Sequence, residues 1–199
     1  MSGNRAADIL SALRESVEAQ QRMLDDTSFA TALSQVCEVC VACYRKGGKL
    51  LVAGNGGSAA DAQHFAGELV SRFHFDRPPL SAIALTTDTS ILTAIGNDYG
   101  YQEVFSRQIL AHGCKGDIFI AISTSGESAN ILQAMRMARS IGMTVVGLTG
   151  QSGGSMKGLC DFCFCVPTTS TPRIQECHLV IEHTVCAQIE EALFGKPVH

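Results

Sequence analysis

Short apolar runs alternate with longer segments of helical periodicity over most of the chain. Five of these runs are bounded by glycine, proline or polar turns, and each predicts a β-strand. They lie at 49–53, 82–86, 117–122, 144–148 and 161–166. The spacing of apolar positions predicts helices at roughly 58–73, 99–112, 128–141 and 173–194. Continuous apolar strands separated by helices are typical of an α/β protein with a parallel sheet covered on both faces.

The first part of the chain is helix-like throughout. Residues 5–46 predict two helices separated near residues 26–28, where Thr27 or Ser28 could cap the second. Their apolar stripes are larger than one α/β sandwich would bury, which favours association between chains through these helices. The stripes comprise Ile9, Leu13, Val17, Met23, Phe29, Leu33, Val36, Cys40 and Ala42.

Composition and charge narrow the class of protein. With 199 residues and 46% apolar content, the chain can form one well-buried core. It has no apolar run of about 18 residues, and its start is polar, so we expect a soluble cytoplasmic protein without a membrane partner. A net charge of −4 without a basic cluster argues against a nucleic-acid partner.

The nine cysteines read as core residues with reduced thiols. Cys37, Cys40 and Cys43 recur at helical spacing, and Cys163 and Cys165 alternate along a predicted strand. The two CxxC pairs lie within regular elements and lack the glycine-rich knuckle of a zinc ribbon, so the pattern disfavours a metal or redox role.

A glycine turn follows the first predicted strand. The sequence Gly54-Asn55-Gly56-Gly57-Ser58 leads into a helix that carries His64 and Glu68 on one face. Glycines allow backbone N–H groups to approach an anion at a helix N-terminus. The turn matches neither the GxGxxG fingerprint nor the P-loop, and a tight turn without a ligand would account for the glycines equally well.

A hydroxyl-rich turn follows the third predicted strand. Ser123-Thr124-Ser125-Gly126-Glu127-Ser128 leads into the next helix, and ligands of parallel sheets collect at the carboxyl ends of strands. Several hydroxyls together with free N–H groups would form a good cradle for a phosphate monoester. The alternative is a polar loop in which Ser128 acts only as an N-cap.

These two turns together resemble the sugar isomerase (SIS) domain, over roughly residues 30–194. Within that superfamily the chain resembles the phosphoheptose isomerase family almost end to end. The matching blocks are Asp61-Ala-Gln-His64-Phe-Ala-Gly-Glu68, Leu85-Thr-Thr-Asp88, Gly96-Asn97-Asp98-Tyr99-Gly100, Ser123-Thr-Ser-Gly126 and Arg173-Ile-Gln-Glu-Cys-His178 with His183.

The resemblance implies a flavodoxin-like fold. The expected architecture is a three-layer αβα sandwich with a five-stranded parallel sheet and additional N-terminal helices. Residues 1–46 would form a helical oligomerisation segment, and residues 47–195 would form the SIS phosphosugar-binding domain. The family further implies a homotetramer with active sites shared between subunits.

The resemblance also implies a reaction. Sedoheptulose 7-phosphate would become glycero-manno-heptose 7-phosphate, the first step towards nucleotide-activated heptose for lipopolysaccharide, capsule or another surface glycan. Such an exchange moves a proton between C1 and C2 through an enediol and needs two proton-handling groups. By resemblance these groups are His183, assigned as the base, and its complement Glu68.

Further site residues are carried over from the matching blocks. A zinc ion would be held by His64, Glu68, Gln175 and His183. The predicted substrate contacts are Asn55, Gly56 and Gly57 with the sugar hydroxyls, Asn97 and Asp98 with the far end of the chain, Ser123, Thr124, Ser125 and Ser128 with the phosphate, and Glu68 and Gln175 with the reacting part.

Helix geometry supports only part of the metal set. His64 and Glu68 lie on one face, whereas Gln175 and His183 are eight residues apart and differ by about 80° around an ideal helix. Glutamine is an uncommon zinc ligand, so the metal prediction rests on the resemblance. Taken alone, His64 or His183 is more typical of a hydrogen-bonded packing residue.

Two non-catalytic alternatives fit the sequence less well than the isomerase. The DnaA initiator-associating protein shares the fold, but it lacks the counterparts of Glu68 and His183, both of which this chain has. A transcription regulator would need a helix-turn-helix module, and the segment before the first strand has no basic recognition helix.

Overall fold

A fully parallel five-stranded sheet forms the centre of the computed structural model, which describes residues 5–195. The strands are β1 Leu50–Ala53, β2 Ala82–Ala84, β3 Ile118–Ser123, β4 Thr144–Thr149 and β5 Phe162–Cys165. Every predicted strand is confirmed to within two residues at each end. The spatial order is β2-β1-β3-β4-β5, which is the flavodoxin-like order.

Helices cover both faces of the sheet. They are α1 Arg5–Asp25, α2 Thr27–Arg45, α3 Gly57–Val70, α4 Thr89–Asp98, α5 Ser106–His112, α6 Ala129–Ser140 and α7 Thr171–Phe194, with 3-10 turns at Tyr101–Glu103 and Gly154–Gly158. One buried cluster joins the sheet to α1, α2, α3 and α7, and a second joins it to α5 and α6. The predicted three-layer sandwich is confirmed, and α1 and α2 share a core with the sheet.

The start of α2 is capped differently from the prediction. The helices separate at the expected place, but the N-cap is Asp26 rather than Thr27 or Ser28. Its carboxylate accepts the backbone N–H groups of Ser28 and Phe29 at 2.9 and 3.3 Å. Residues 1–4 of the predicted helical segment lie outside the described residues.

The region between β2 and β3 was predicted incompletely. The single helix expected at 99–112 is a 3-10 turn followed by the short α5, and α4 precedes them. Asp88 caps α4 by accepting the backbone N–H of Ile91 at 2.9 Å. Helix α4 contains β-branched residues and Gly96, and none of its residues is fully buried, so its apolar pattern is weak.

The cysteines of α2 lie in the core, as predicted. Cys37, Cys40 and Cys43 are buried, and burial raises the pKa of the Cys37 thiol to about 11. Cys163 and Cys165 are only partly buried because β5 is an edge strand, and their sulfur atoms lie 3.8 Å apart.

Helix α1 presents an apolar row to solvent. Ile9, Leu13 and Val17 are 55%, 58% and 65% exposed, whereas Met23, in the last turn of the helix, packs into the core. Within the described range 5–195, the structure contains no helix of the length and apolarity needed to cross a membrane.

The topology brings two loops to the same edge of the sheet. Strands β1 and β3 are neighbours in the sheet. The connection after β1 leads to β2 on one side, whereas the connection after β3 leads to β4 on the opposite side, so the two connections diverge. The crevice between them is the switch point at which ligands bind in open parallel sheets. The glycine turn and the hydroxyl-rich turn both begin there.

Candidate active site

The glycine turn allows α3 to begin against α7. Gly56 is the N-cap with φ +57°, a conformation that favours glycine, and no side chain caps the helix there. A Cβ atom at Gly57 would collide with the side-chain amide of Gln175 from α7. Because the N-cap residue is a glycine, the N-terminus of α3 has no side-chain acceptor at the crevice.

An amide pair bridges the two loops. The side-chain amides of Asn55 and Asn130 donate to each other at 2.9 and 2.8 Å, and the Tyr101 hydroxyl donates to Asn55 Oδ1 at 3.4 Å. Asn130 is buried in the first turn of α6. It was not among the predicted residues, although an asparagine two positions after the hydroxyl-rich turn was an available signal.

The hydroxyl-rich turn concentrates its side chains as predicted. The Ser123 hydroxyl lies 2.9 Å from that of Ser128 and 3.4 Å from that of Ser125. Ser128 occupies the N-cap position of α6, but its side chain makes no capping bond. The alternative in which Ser128 acts only as a cap therefore does not describe this loop. In the first turn of α6 the Asn130 side-chain oxygen accepts the backbone N–H of Ile131 at 2.9 Å.

The acidic residue of this loop is held against a neighbouring turn. The Glu127 carboxylate accepts the backbone N–H and the hydroxyl of Ser155, both at 2.7 Å. Gly126 has φ +70° and packs so closely on Gly153 that a Cβ atom would collide with the Gly153 carbonyl. These contacts fix the Glu127 carboxylate to the turn at 154–158.

Helices α3 and α7 bring three predicted residues together. His64 Nε2 lies 2.8 Å from His183 Nε2 and 3.5 Å from Glu68 Oε1. One ligand atom from each of the three residues lies within 4.8 Å of the others, close enough for all three to bind one metal ion. His64 is exposed, and the other two are half-buried. Two imidazoles and a carboxylate are also a recognised catalytic zinc set.

A cleft of about 530 Å³ opens beside this cluster. Its lining includes His64 and Glu68 together with Arg72, Phe73 and His74 from the segment that follows α3. The Phe73 ring centroid lies 5.5 Å from that of His183. The cleft has room for a substrate next to the imidazoles.

The remaining predicted residues lie elsewhere on the same elements. The Gln175 amide rests against Gly57, and its backbone is about 12 Å along α7 from His183. Asn97 and Asp98 end α4, are exposed, and are joined by a hydrogen bond of 2.8 Å. Among the described residues, no hydrogen bond or ion pair joins Gln175, Asn97 or Asp98 to the cluster.

A second acidic group lies buried on α7, next to His183 in the sequence. Glu182 is 1% exposed, and neither of its carboxylate oxygens has a hydrogen-bond partner among the described residues. Burial raises the pKa of Glu182 to about 9, with a further contribution from the nearby Asp61. Burial also raises the pKa of Asp61, against the opposing influence of His64. The sequence signal for Glu182 was its place between Ile181 and Val185 on the apolar face of α7.

Comparisons with known proteins identify relatives of the whole chain. The SIS domain family model matches residues 13–150. The phosphoheptose isomerase of Aneurinibacillus thermoaerophilus is 56% identical over 94% of both chains. That of Burkholderia pseudomallei is 55% identical over 98% of this chain and 100% of the relative.

Solved structures agree with these sequence relatives. The phosphoheptose isomerase of Neisseria gonorrhoeae has a TM-score of 0.89 at 41% identity and covers 94% of this chain and 100% of its own. The enzyme of Francisella tularensis has a TM-score of 0.91 at 38% identity, with coverages of 95% and 100%.

Proposed function

The chain belongs to the phosphoheptose isomerase family of SIS-domain proteins, and from that membership we propose that it converts sedoheptulose 7-phosphate to glycero-manno-heptose 7-phosphate. The observation that carries the proposal is the meeting of Glu68 and His183, from two different helices, beside His64, which lines a cleft together with Glu68. Their presence favours an enzyme over the non-catalytic SIS-domain binding proteins. The product would enter the synthesis of nucleotide-activated heptose for surface polysaccharide.

The proposed mechanism is proton transfer through an enediol. A base removes a proton from C1 of the ketose while the C2 oxygen gains one, and the enediol then loses its O1 proton and gains a proton at C2. We assign His183 as the base and Glu68 as the group that exchanges protons with the oxygens. Because the two side chains come from α7 and α3, the packing of these helices sets their separation.

The two loops at the switch point would bind the rest of the substrate. The hydroxyls of Ser123, Thr124, Ser125 and Ser128 lie at the N-terminus of α6, where Ser128 makes no capping bond, and they suit a phosphate group. Asn55, Gly56 and Gly57 would contact the sugar hydroxyls, and Gln175 would reach the substrate beside Gly57. Asn97 and Asp98 stay predicted contacts for the far end of the sugar chain. The cytoplasmic location also stays a prediction.

Turnover of the named substrate tests the function. We expect purified protein to convert sedoheptulose 7-phosphate to an aldose phosphate, followed by ³¹P and ¹H NMR, and to exchange the transferred proton with solvent deuterium. A protein that binds the sugar phosphate without converting it, with zinc supplied, would instead support the non-catalytic alternative.

We further propose that His64, Glu68 and His183 hold one divalent metal ion, with zinc the expected species. The donor set and the mutual distances of the three ligand atoms support this fit. When bound, such an ion would polarise substrate oxygens. Gln175 stays the predicted fourth ligand, although its amide lies against Gly57 in this structure.

Metal analysis of a ligand variant tests this site without using activity. We expect about one zinc ion per chain in the wild-type protein and a loss of most of it in His64→Ala, because three ligands become two. The exposed His112 at the end of α5 provides the control, and His112→Ala should keep its zinc. Equal zinc contents in wild type and His64→Ala would reject the proposed site.

We propose that the protein assembles as a homotetramer with sites shared between subunits. The support is the exposed row of Ile9, Leu13 and Val17 on α1, which this chain leaves without a partner surface of its own. A buried interface of the usual size would cover such a row.

Charge placed in this row should weaken the assembly. We expect Leu13→Glu to move the protein to a smaller species in sedimentation velocity, because burying a carboxylate in an apolar contact is costly. Ser11→Glu adds the same charge at an exposed position about 160° around α1 from Leu13, away from the row, and should leave the assembly unchanged. A wild-type monomer at micromolar concentration would overturn the proposal.

A further inference from the structure

A buried ion pair joins the segment after α3 to α7. Arg77 Nε donates to Glu190 Oε1 at 3.0 Å, and the two side chains are 2% and 1% exposed. The Glu190 carboxylate also accepts the backbone N–H groups of Phe73 and His74 at 2.9 and 2.7 Å. Burial opposes its ionisation, but these hydrogen bonds and Arg77 together lower the pKa of Glu190.

The same guanidinium caps the end of α3. Arg77 donates to the backbone carbonyl of Glu68 at 2.9 Å and to that of Leu69 at 2.6 Å. Carbonyls in the last turn of a helix lack partners within the helix and carry its negative dipole end, so a cation is favoured there. Arg77 therefore bonds directly to the backbone of the residue that bears the proposed catalytic carboxylate.

Glu190 lies on nearly the same face of α7 as His183. It follows His183 by seven residues, which places it about 10.5 Å along α7 and about 20° from the same face. The Phe73 backbone that Glu190 holds carries the ring packed near the His183 ring. The pair thus connects the backbone at Glu68 to the helix that bears His183.

We infer that Arg77 and Glu190 are positioning residues that set the distance between Glu68 and His183 for proton transfer. The inference rests on the proposed function, since it assigns the pair a role in that reaction. Removing the pair would let α3 and α7 shift, and a displacement near 1 Å at reacting groups typically costs about 100-fold in rate.

The chain contains a similar pair away from the cleft, which serves as a control. Asp117 accepts the Lys49 ammonium at 2.7 Å and the backbone N–H groups of Lys49 and Cys114 at 3.0 and 2.9 Å. This pair lies at the amino ends of β1 and β3, the edge of the sheet opposite the two loops. Each acid therefore accepts one cation and two backbone N–H groups.

Two double variants separate positioning from stability. Arg77→Met with Glu190→Gln and Lys49→Met with Asp117→Asn each neutralise both partners, so neither leaves a buried charge unpaired. We expect the first to lower kcat about 100-fold with KM changed less than about threefold, because the phosphate loop is not touched. The Lys49 and Asp117 double variant should keep the wild-type kcat even if its melting temperature falls as much as that of the Arg77 and Glu190 double variant.

The imidazole resonances of His64 and His183 provide a readout that does not depend on turnover. They should shift in the Arg77 and Glu190 double variant and stay in place in the control. Unchanged resonances together with wild-type kcat would overturn the inference. If wild-type protein fails to turn over, the proposed function fails, and the resonances alone then decide whether the pair sets the cluster geometry.

A single variant covers the case in which the double variant does not fold. Arg77→Lys keeps the charge but lacks the planar fork that reaches Glu190 and the carbonyls of Glu68, Leu69, Ser71 and Pro78 at once. We expect it to lower kcat about tenfold at unchanged KM. A folded Arg77→Lys protein with wild-type kcat and unshifted histidine resonances would overturn the inference.

Discussion

Replacing Glu68 by glutamine is expected to lower kcat for the isomerisation by about 1000-fold while leaving the fold intact. Glutamine has the same shape but cannot exchange a proton at neutral pH, and a positioned acid or base contributes about 100- to 10,000-fold. Glu68 is only half-buried and belongs to neither core cluster, so the substitution should cost little stability.

Steady-state kinetics and thermal unfolding measure the two effects separately. KM should change little because the hydroxyls at 123–128 are untouched, so the loss should fall on kcat. Glu38→Gln removes an exposed carboxylate on α2 and should retain full activity. A Glu68→Gln enzyme with a near-normal rate would place the chemistry on other residues.

Local sequence patterns were enough to predict most of the fold and both loops at the switch point. Strands β1 and β3 are apolar because both faces of the sheet are covered, and this burial makes each run easy to read. His64 and Glu68 lie four residues apart on one helix, so helical spacing alone places them together. The cross-helix meeting with His183 needed the family resemblance.

Contacts between distant residues could not be read from such patterns. Asn55 pairs with Asn130 across 75 positions, and Arg77 pairs with Glu190 across 113. Each of these side chains is polar and reads as a surface residue until the fold brings its partner to it. Helix α4 was missed for a related reason, since its start depends on the cap at Asp88 rather than on an apolar stripe.

Glu182 presents the opposite case, a buried acid without a partner among the described residues. The pKa of Glu182 is about 9 in the folded protein, against an ordinary value of 4.5 that it should regain on unfolding. Between these values the folded state holds one proton more than the unfolded state. The free energy of unfolding therefore falls as pH rises, by about 1.4 kcal/mol per pH unit from this group.

Between pH 6 and pH 8 we expect the free energy of unfolding of the wild-type protein to fall by about 3 kcal/mol more than that of Glu182→Gln. Glutamine stays neutral at both pH values, so the difference between the two proteins isolates this one carboxyl from other titrating groups. Urea unfolding after dialysis against EDTA measures it, because removing metal prevents an ion at the adjacent His183 from contributing. Glu38→Gln should keep the wild-type pH dependence. Parallel stability curves for wild type and Glu182→Gln would mean that Glu182 is already ionised in the folded protein at pH 6, and that the folded interior supplies a cation or hydrogen-bond donors to its carboxylate.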